Sequence, residues 1–254
     1  MKIAVFDSGI GGVTVLKELR AQFPTHDFVY YGDTANVPYG TKSPAQVKKL
    51  VIAATKKIKT FKVDALVIAC NTASCVALAE CQEIMAEVPV YSVVEAGVAT
   101  IVQLIKNQPQ TPVVVFGTKV TIRSKTYSTY IQDMLGPHFT ILEQECPLLV
   151  PMIEEGWLEH TVLHQTVAEY VKPYIHLEPG IAFLACTHYP WIRSAFEKAL
   201  PQWTVVDSAA QVCSMLKHHP TTAISSDEIT GKITWKFSDP DTKQPVIELA
   251  EHTL

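Results

Sequence analysis

Two cysteines occupy matching places in this chain. Cys70 closes the run Leu66-Val67-Ile68-Ala69-Cys70, and Cys186 closes Ala182-Phe183-Leu184-Ala185-Cys186. Small polar residues follow each, Asn71-Thr72 and Thr187-His188. A short apolar run that breaks into polar residues reads as a strand end followed by a helix start. In open parallel sheets, ligands gather at the carboxyl ends of strands. Reading the other strand ends adds Asp7-Ser8, Asp33, Thr118 and Asp207-Ser208. Ser, Thr, Asp and Asn are also ordinary helix N-caps, so capping explains many of them. Cysteine is a poor cap, so capping leaves the two thiols unexplained. A helix N-terminus is expected to bring a thiol pKa from about 8.5 towards neutral. Cys70 and Cys186 are therefore read as working groups. Cys75, Cys81, Cys146 and Cys213 are read as small hydrophobes.

Paired thiols admit several chemistries. A disulfide is uncommon in a reducing compartment. A metal site would have only Cys70, Cys186 and His188, without recognised ligand spacing. A single Cys–His nucleophile would leave one cysteine unused. Two acid/base groups flanking one carbon use both. One thiolate takes a proton from one face, and the opposite thiol donates one. That inverts a stereocentre, and the reverse reaction swaps the roles. The glycine-rich stretch Asp7-Ser8-Gly9-Ile10-Gly11-Gly12 looks like a dinucleotide loop. Thr14 stands where the third glycine belongs, and Asp7 would repel a pyrophosphate, so no nucleotide is expected. The loop's N–H groups remain suited to a carboxylate.

The elements that must position these residues alternate strand and helix. Candidate strands are Lys2–Phe6, Asp27–Tyr31, Ala65–Ala69, Pro89–Val94, Val113–Phe116, Phe139–Glu143, Ile181–Ala185 and Thr204–Val206. Val47, Leu50, Val51, Ala54, Ile58 and Phe61 form a 3.6-period stripe, opened by Ser43-Pro44 as N-cap and N1. Tyr127, Tyr130, Ile131 and Met134 form another. Apolar strands alternating with helices imply parallel sheets covered on both faces. The strands fall into two sets of four. Cys70 aligns with Cys186 at an offset of 116, Phe6 with Phe116 at 110, and Val94 with Val206 at 112. The chain therefore reads as a duplicated α/β unit. We expect two similar doubly wound α/β domains, with mainly parallel sheets related by pseudo-twofold symmetry and the active site in the cleft between them. Residues 1–94 with the returning tail 209–254 would form the first, discontinuous domain, and 95–208 the second. In the tail, Ile233–Phe237 is expected as an edge strand and Val246–Leu254 as a short helix.

Composition limits the function classes. The 254 residues carry 21 Lys and Arg against 25 Asp and Glu, a formal charge of −4. Hydrophobic residues reach 48%, which excludes intrinsic disorder. Length suggests about 1.7 average domains. No basic patch points to nucleic acid. Lys56, Lys57 and Lys59 read as a solvated helix face. No apolar run approaches a membrane span, and Asp7 interrupts any signal-peptide core. A cytoplasmic protein with six reduced cysteines is expected. The first strand opens at Lys2, so no regulation through a longer N-terminal segment is expected.

Five motifs carry a family resemblance: FDSGIGG (Phe6–Gly12), YYGDTANVPYG (Tyr30–Gly40), ACNTAS (Ala69–Ser74), CPLLVPMIEEG (Cys146–Gly156) and ACTHYP (Ala185–Pro190). In this order they resemble the glutamate racemases of the aspartate/glutamate racemase superfamily. The resemblance runs from about Ile3 to Asp207 and loosens in the tail. It implies interconversion of L- and D-glutamate without cofactor or metal, supplying D-glutamate for peptidoglycan. It implies that Cys70 and Cys186 are the acid/base thiols, with Asp7 and His188 assisting them. By the same analogy Cys70 serves D-glutamate and Cys186 L-glutamate. Asp7, Ser8, Pro38, Tyr39, Gly40, Asn71, Thr72, Thr118, Thr121, Thr187 and His188 are implied as substrate contacts. Asp33 and Glu154 are implied as supporting acids. A homodimer is expected. The rival readings are an aspartate or hydantoin racemase, which would carry Cys-Thr-Glu where this chain has Cys186-Thr187-His188, a binding module that keeps the fold, and a Cys/His metalloprotein.

Overall fold

The computed structural model describes residues 1–106, 109–137, 139, 141–217 and 230–242. The first half of the chain forms β1 (Lys2–Asp7), α1 (Val13–Gln22), β2 (Asp27–Gly32), α2 (Pro44–Lys59), β3 (Ala65–Ile68), α3 (Asn71–Met85), β4 (Val90–Ser92) and α4 (Val93–Ile105). The second forms β5 (Val113–Gly117), α5 (Lys119–Arg123), α6 (Thr126–Leu135), β6 (Leu142–Glu145), α7 (Leu149–Glu154), α8 (Thr161–Val171), β7 (Ile181–Ala185), α9 (Arg193–Ala199) and β8 (Thr204–Val206). α10 (Ala209–Lys217) and β9 (Ile233–Phe237) follow.

Two sheets result, ordered β4-β3-β1-β2-β9 and β6-β5-β7-β8. Every pairing is parallel. Numbered within each half, both sheets run fourth-third-first-second, with β9 added at the edge of the first. The register repeats as well. Phe6 lies opposite Ile68, and Phe116 lies opposite Leu184, as offsets of 110 and 116 require. The fourth strands correct the third alignment. Leu66 faces Val90 and Ala182 faces Val205, an offset of 115 rather than 112. Ser92 thus corresponds to Asp207. Ser92 Oγ accepts a hydrogen bond from the Val94 amide, and Asp207 Oδ1 accepts one from Ala209, two equivalent helix-start caps. The cap also ends β4 at Ser92, so Val93 and Val94 are helical rather than strand.

β6 also differs from expectation. It covers Leu142–Glu145 rather than 139–143. Pairing to β5 decides this, because Val114–Gly117 faces Leu142–Glu145. Salt bridges from Lys125 to Glu143 and from Arg123 to Glu145 occupy its polar side chains. The strand is half-buried and polar, so hydrophobicity alone could not place it.

Local signals hold where a helix has one clear face. Ser43 opens α2 with a capping box, and Val47, Val51, Ala54 and Ile58 are buried. Burial of each of these valine and isoleucine side chains contributes about 1.5–3 kcal/mol. Lys56, Lys57 and Lys59 are exposed. On α6, Tyr127 and Ile131 are buried while Tyr130 and Met134 are exposed, so only half of that stripe packs. α4 serves both sheets. Val93 and Ala96 join the core over the first sheet; Val94, Val98, Ile101 and Ile105 join that of the second. β9 adds to β2, and α10 packs on α1 and α4. The expected helix Val246–Leu254 lies outside the described residues. No described helix is long and apolar enough to cross a membrane.

Candidate active site

The carboxyl ends of the inner strands of both sheets meet at one cavity. Ser8, Pro38, Tyr39, Gly40, Cys70, Asn71 and Thr72 line it from the first half. Thr118, Cys186, Thr187 and His188 line it from the second. The space between its walls, open solvent included, is about 490 Å³, and about 30 Å³ of it admits the centre of a water-sized sphere. Among the described residues its lining holds no Lys, Arg, Asp or Glu, and His188 is its one basic group. Asp7, Asp33, Thr121 and Glu154 are not among the residues that line it.

Each thiol has its own surroundings. Cys70 is the N-cap of α3, its Sγ accepting from the Ala73 amide at 3.5 Å. The expectation that cysteine would not cap is thus corrected. Its thiol also donates to Ser8 Oγ at 3.6 Å. Burial and the neighbouring Asp7 carboxylate push the Cys70 thiol up to about 12. This overturns the expected depressed pKa: one long amide contact does not offset desolvation beside a like charge. Cys70 therefore rests as a thiol, ready to donate.

Cys186 sits against a histidine. Its Sγ is 3.9 Å from His188 Nδ1, and His188 Nε2 is 3.0 Å from Glu154 Oε1. Burial pushes the His188 imidazole down, but Cys186 and Glu154 outweigh it and hold it at about 10. His188 is thus an imidazolium at neutral pH, bridging sulfur and carboxylate.

Asp7 ties the halves together. Its Oδ1 accepts from the Gly9 amide at 2.9 Å, and its Oδ2 accepts from Thr187 Oγ1 at 3.1 Å. Burial raises its pKa, while His188 and these hydrogen bonds oppose the rise. Thr14 Oγ1 donates to the Thr187 carbonyl at 3.1 Å. A second link is a hydroxyl triangle. Thr72 Oγ1 lies 3.0 Å from Thr118 Oγ1 and 3.2 Å from Thr121 Oγ1. Asp33 accepts hydrogen bonds from Tyr39 and Asn36, which fixes the turn carrying Tyr39 and Gly40. Asp207 pairs with Arg193 and caps α10, so this strand end does not reach the cavity.

Sequence reasoning missed part of the wall. Val37, Thr41, Cys146, Pro147, Val150 and Pro151 line the cavity too. Cys146 packs in the core as expected, and it also follows the end of β6. Reading strand ends would have found it had β6 been placed at Leu142–Glu145. All six cysteines are free, and no group of three or more His, Cys, Asp or Glu is placed to hold a metal among the described residues.

The profile of the Asp/Glu/hydantoin racemase family matches residues 13–216. The chain belongs to this family. It is an isomerase, a racemase built on two parallel α/β sheets. A curated glutamate racemase of Sulfurihydrogenibium is 40% identical over 219 residues, covering 86% of this chain and 82% of its own. One of Chlorobium phaeobacteroides is 31% identical, covering 98% of this chain and 96% of its own. The crystal structure of glutamate racemase from Francisella tularensis in complex with D-glutamate superposes with a TM-score of 0.88 at 32% identity. It covers 99% of this chain and 93% of its own.

The glycine-rich loop has a steric role in this racemase. A Cβ on Gly11 would lie 2.5 Å from Thr187 Oγ1 and 2.6 Å from His188 Nδ1. Both side chains are buried, so neither can step aside freely. Gly11→Ala is therefore expected to destabilise the fold by about 1–3 kcal/mol and to lower racemase activity at least tenfold at temperatures where the variant is folded. Thermal melts and steady-state assays check this; full activity would show that the loop yields instead.

Proposed function

We propose that this racemase interconverts L- and D-glutamate by a two-thiol acid/base mechanism, supplying D-glutamate for peptidoglycan in the cytoplasm. One observation carries the reading: Cys70 and Cys186 end equivalent segments of two equivalent sheets and line the same cavity. Relatives named glutamate racemase, one at 40% identity, support the substrate. The thiolate of one cysteine takes the Cα proton and becomes a thiol. The opposite thiol gives its proton to the other face of Cα and becomes a thiolate. The proton count is unchanged and the stereocentre is inverted. Cys186 acts on L-glutamate and Cys70 on D-glutamate. His188, charged and held by Glu154, assists Cys186; Asp7 assists Cys70.

A Cα proton is weakly acidic, so charge developing on the substrate must be stabilised by fixed donors. Ser8, Asn71, Thr72, Thr118 and Thr187 provide hydroxyl and amide donors, and Pro38, Tyr39 and Gly40 shape the wall. Thr121 supports Thr118, and Asp33 supports Tyr39. The substrate carboxylates meet these donors rather than arginines, which suits a chain of charge −4. The mechanism uses neither cofactor nor metal. We assign residues 1–94 and 209–254 to one domain and 95–208 to the other, supported by β9 in the first sheet and α10 on α1. A homodimer completes the proposal.

Circular dichroism of an L-glutamate solution tests it. The signal should decay to zero with purified protein alone, and D-glutamate should approach zero from the other side. EDTA should leave the rate unchanged. Constant signals with both enantiomers, or faster decay with aspartate, would overturn the reading.

A further inference from the structure

Asn71 faces the cavity with an amide whose two ends have opposite uses. Nδ2 donates to a carboxylate, whereas Oδ1 repels one. The two orientations have nearly the same shape, so packing alone hardly distinguishes them. Something must fix which end meets the substrate.

Tyr127 is placed to do so. It comes from α6, in the other half of the chain, and it is 1% exposed. Its hydroxyl donates to Asn71 Oδ1 at 2.6 Å. Its ring packs on Phe183 with centroids 5.4 Å apart, and Gly97 leaves the room it needs, since a Cβ there would lie 3.0 Å from the hydroxyl. A phenol so buried remains a donor throughout the working pH range. The phenol oxygen can also accept, but among the described residues its proton has no other acceptor than Oδ1, so this orientation alone satisfies the hydroxyl and leaves the Nδ2 hydrogens for the cavity. Among the described residues no hydrogen bond uses Nδ2.

We propose that Tyr127 is a positioning residue for substrate binding: it locks the Asn71 amide with its donor end towards a glutamate carboxylate. Tyr127 touches no reacting atom and acts through Asn71 alone. The inference rests on the proposed reaction and adds a binding determinant that the active-site motifs do not contain. It also makes the donor of one half depend on a side chain of the other.

The test is a double-mutant cycle of Tyr127→Phe and Asn71→Ala, assayed by glutamate racemisation in both directions. Phenylalanine keeps the ring packing and removes only the hydroxyl. Tyr127→Phe should raise KM for glutamate roughly five- to tenfold, the worth of one ordered hydrogen bond. It should leave kcat within about twofold, because the interaction serves bound substrate and transition state alike. In the Asn71→Ala background the same change should have no further effect on KM. A purely structural role predicts a lowered thermal midpoint and an equal loss in both backgrounds. An unchanged KM in Tyr127→Phe, or a full loss persisting without Asn71, overturns the inference while leaving the reaction intact. A wild-type protein that racemises neither enantiomer overturns the reaction and this inference with it.

Discussion

Cys70→Ser and Cys186→Ser are each expected to lower racemisation on the order of 10³-fold, within the range for removing a positioned acid or base. Serine is the informative choice at position 70. It keeps an oxygen that caps α3, where Cys70 now accepts from the Ala73 amide. The loss then reports chemistry rather than folding. A hydroxyl is far less acidic than a thiol, so it neither forms the base nor surrenders its proton at a useful rate. The two variants should also differ from one another. Each retains one working face. In deuterated water, the variant with Cys186 intact should wash out the Cα hydrogen of L-glutamate without inverting it. The variant with Cys70 intact should do so for D-glutamate. Proton NMR follows the exchange and circular dichroism follows the inversion. Near-normal racemisation by either variant would refute the two-thiol scheme. Exchange of both enantiomers by one variant would refute the assignment of faces.

Glu154→Gln should shift the alkaline limb of the pH profile to lower pH. His188 is fully buried, and burial alone would favour its neutral form. Cys186 and Glu154 reverse this and hold it at about 10. Glutamine keeps the shape but removes one of the two stabilising charges, so the His188 pKa must fall. At pH 9 the rate should fall about twofold if the limb moves from 10 to 9, and about tenfold if it moves to 8. At pH 7 the loss should be smaller. Stability follows the same sign. The folded pKa of His188 lies above the unfolded value of about 6.5. Its contribution is therefore complete below about 6.5 and is lost as pH rises through about 10. Denaturant midpoints of the wild type should fall across that window, and those of Glu154→Gln should fall less. An unmoved alkaline limb would mean that His188 does not control it.

Much of the site was legible because it sits on short-range patterns. Strand ends at Asp7, Cys70, Thr118 and Cys186 follow from apolar runs that stop at polar residues. Ser43-Pro44 announced α2, and the capping box is there. Less legible was whatever depends on a partner strand. β6 has a polar sequence, and only pairing with β5 placed it at Leu142–Glu145. Cys146, which packs in the second sheet's core, also reaches the cavity wall, and only that pairing shows it. Val94 is apolar like a strand residue, but the Ser92 cap makes it helical.

The sequence by itself determined the repeated unit, the parallel sheets and the residues gathered at their carboxyl ends. These depend on periodicity and on neighbours within a few positions, which a linear chain displays. Only the tertiary structure decided what the groups are. It set Asp7 against Thr187, 180 positions away, and Tyr127 against Asn71, 56 positions away. It raised the Cys70 thiol, which local helix geometry alone would have lowered. The cause is general: a titrating group responds to total burial and to every nearby charge, and those sum over residues that meet only when the two halves close on one cavity.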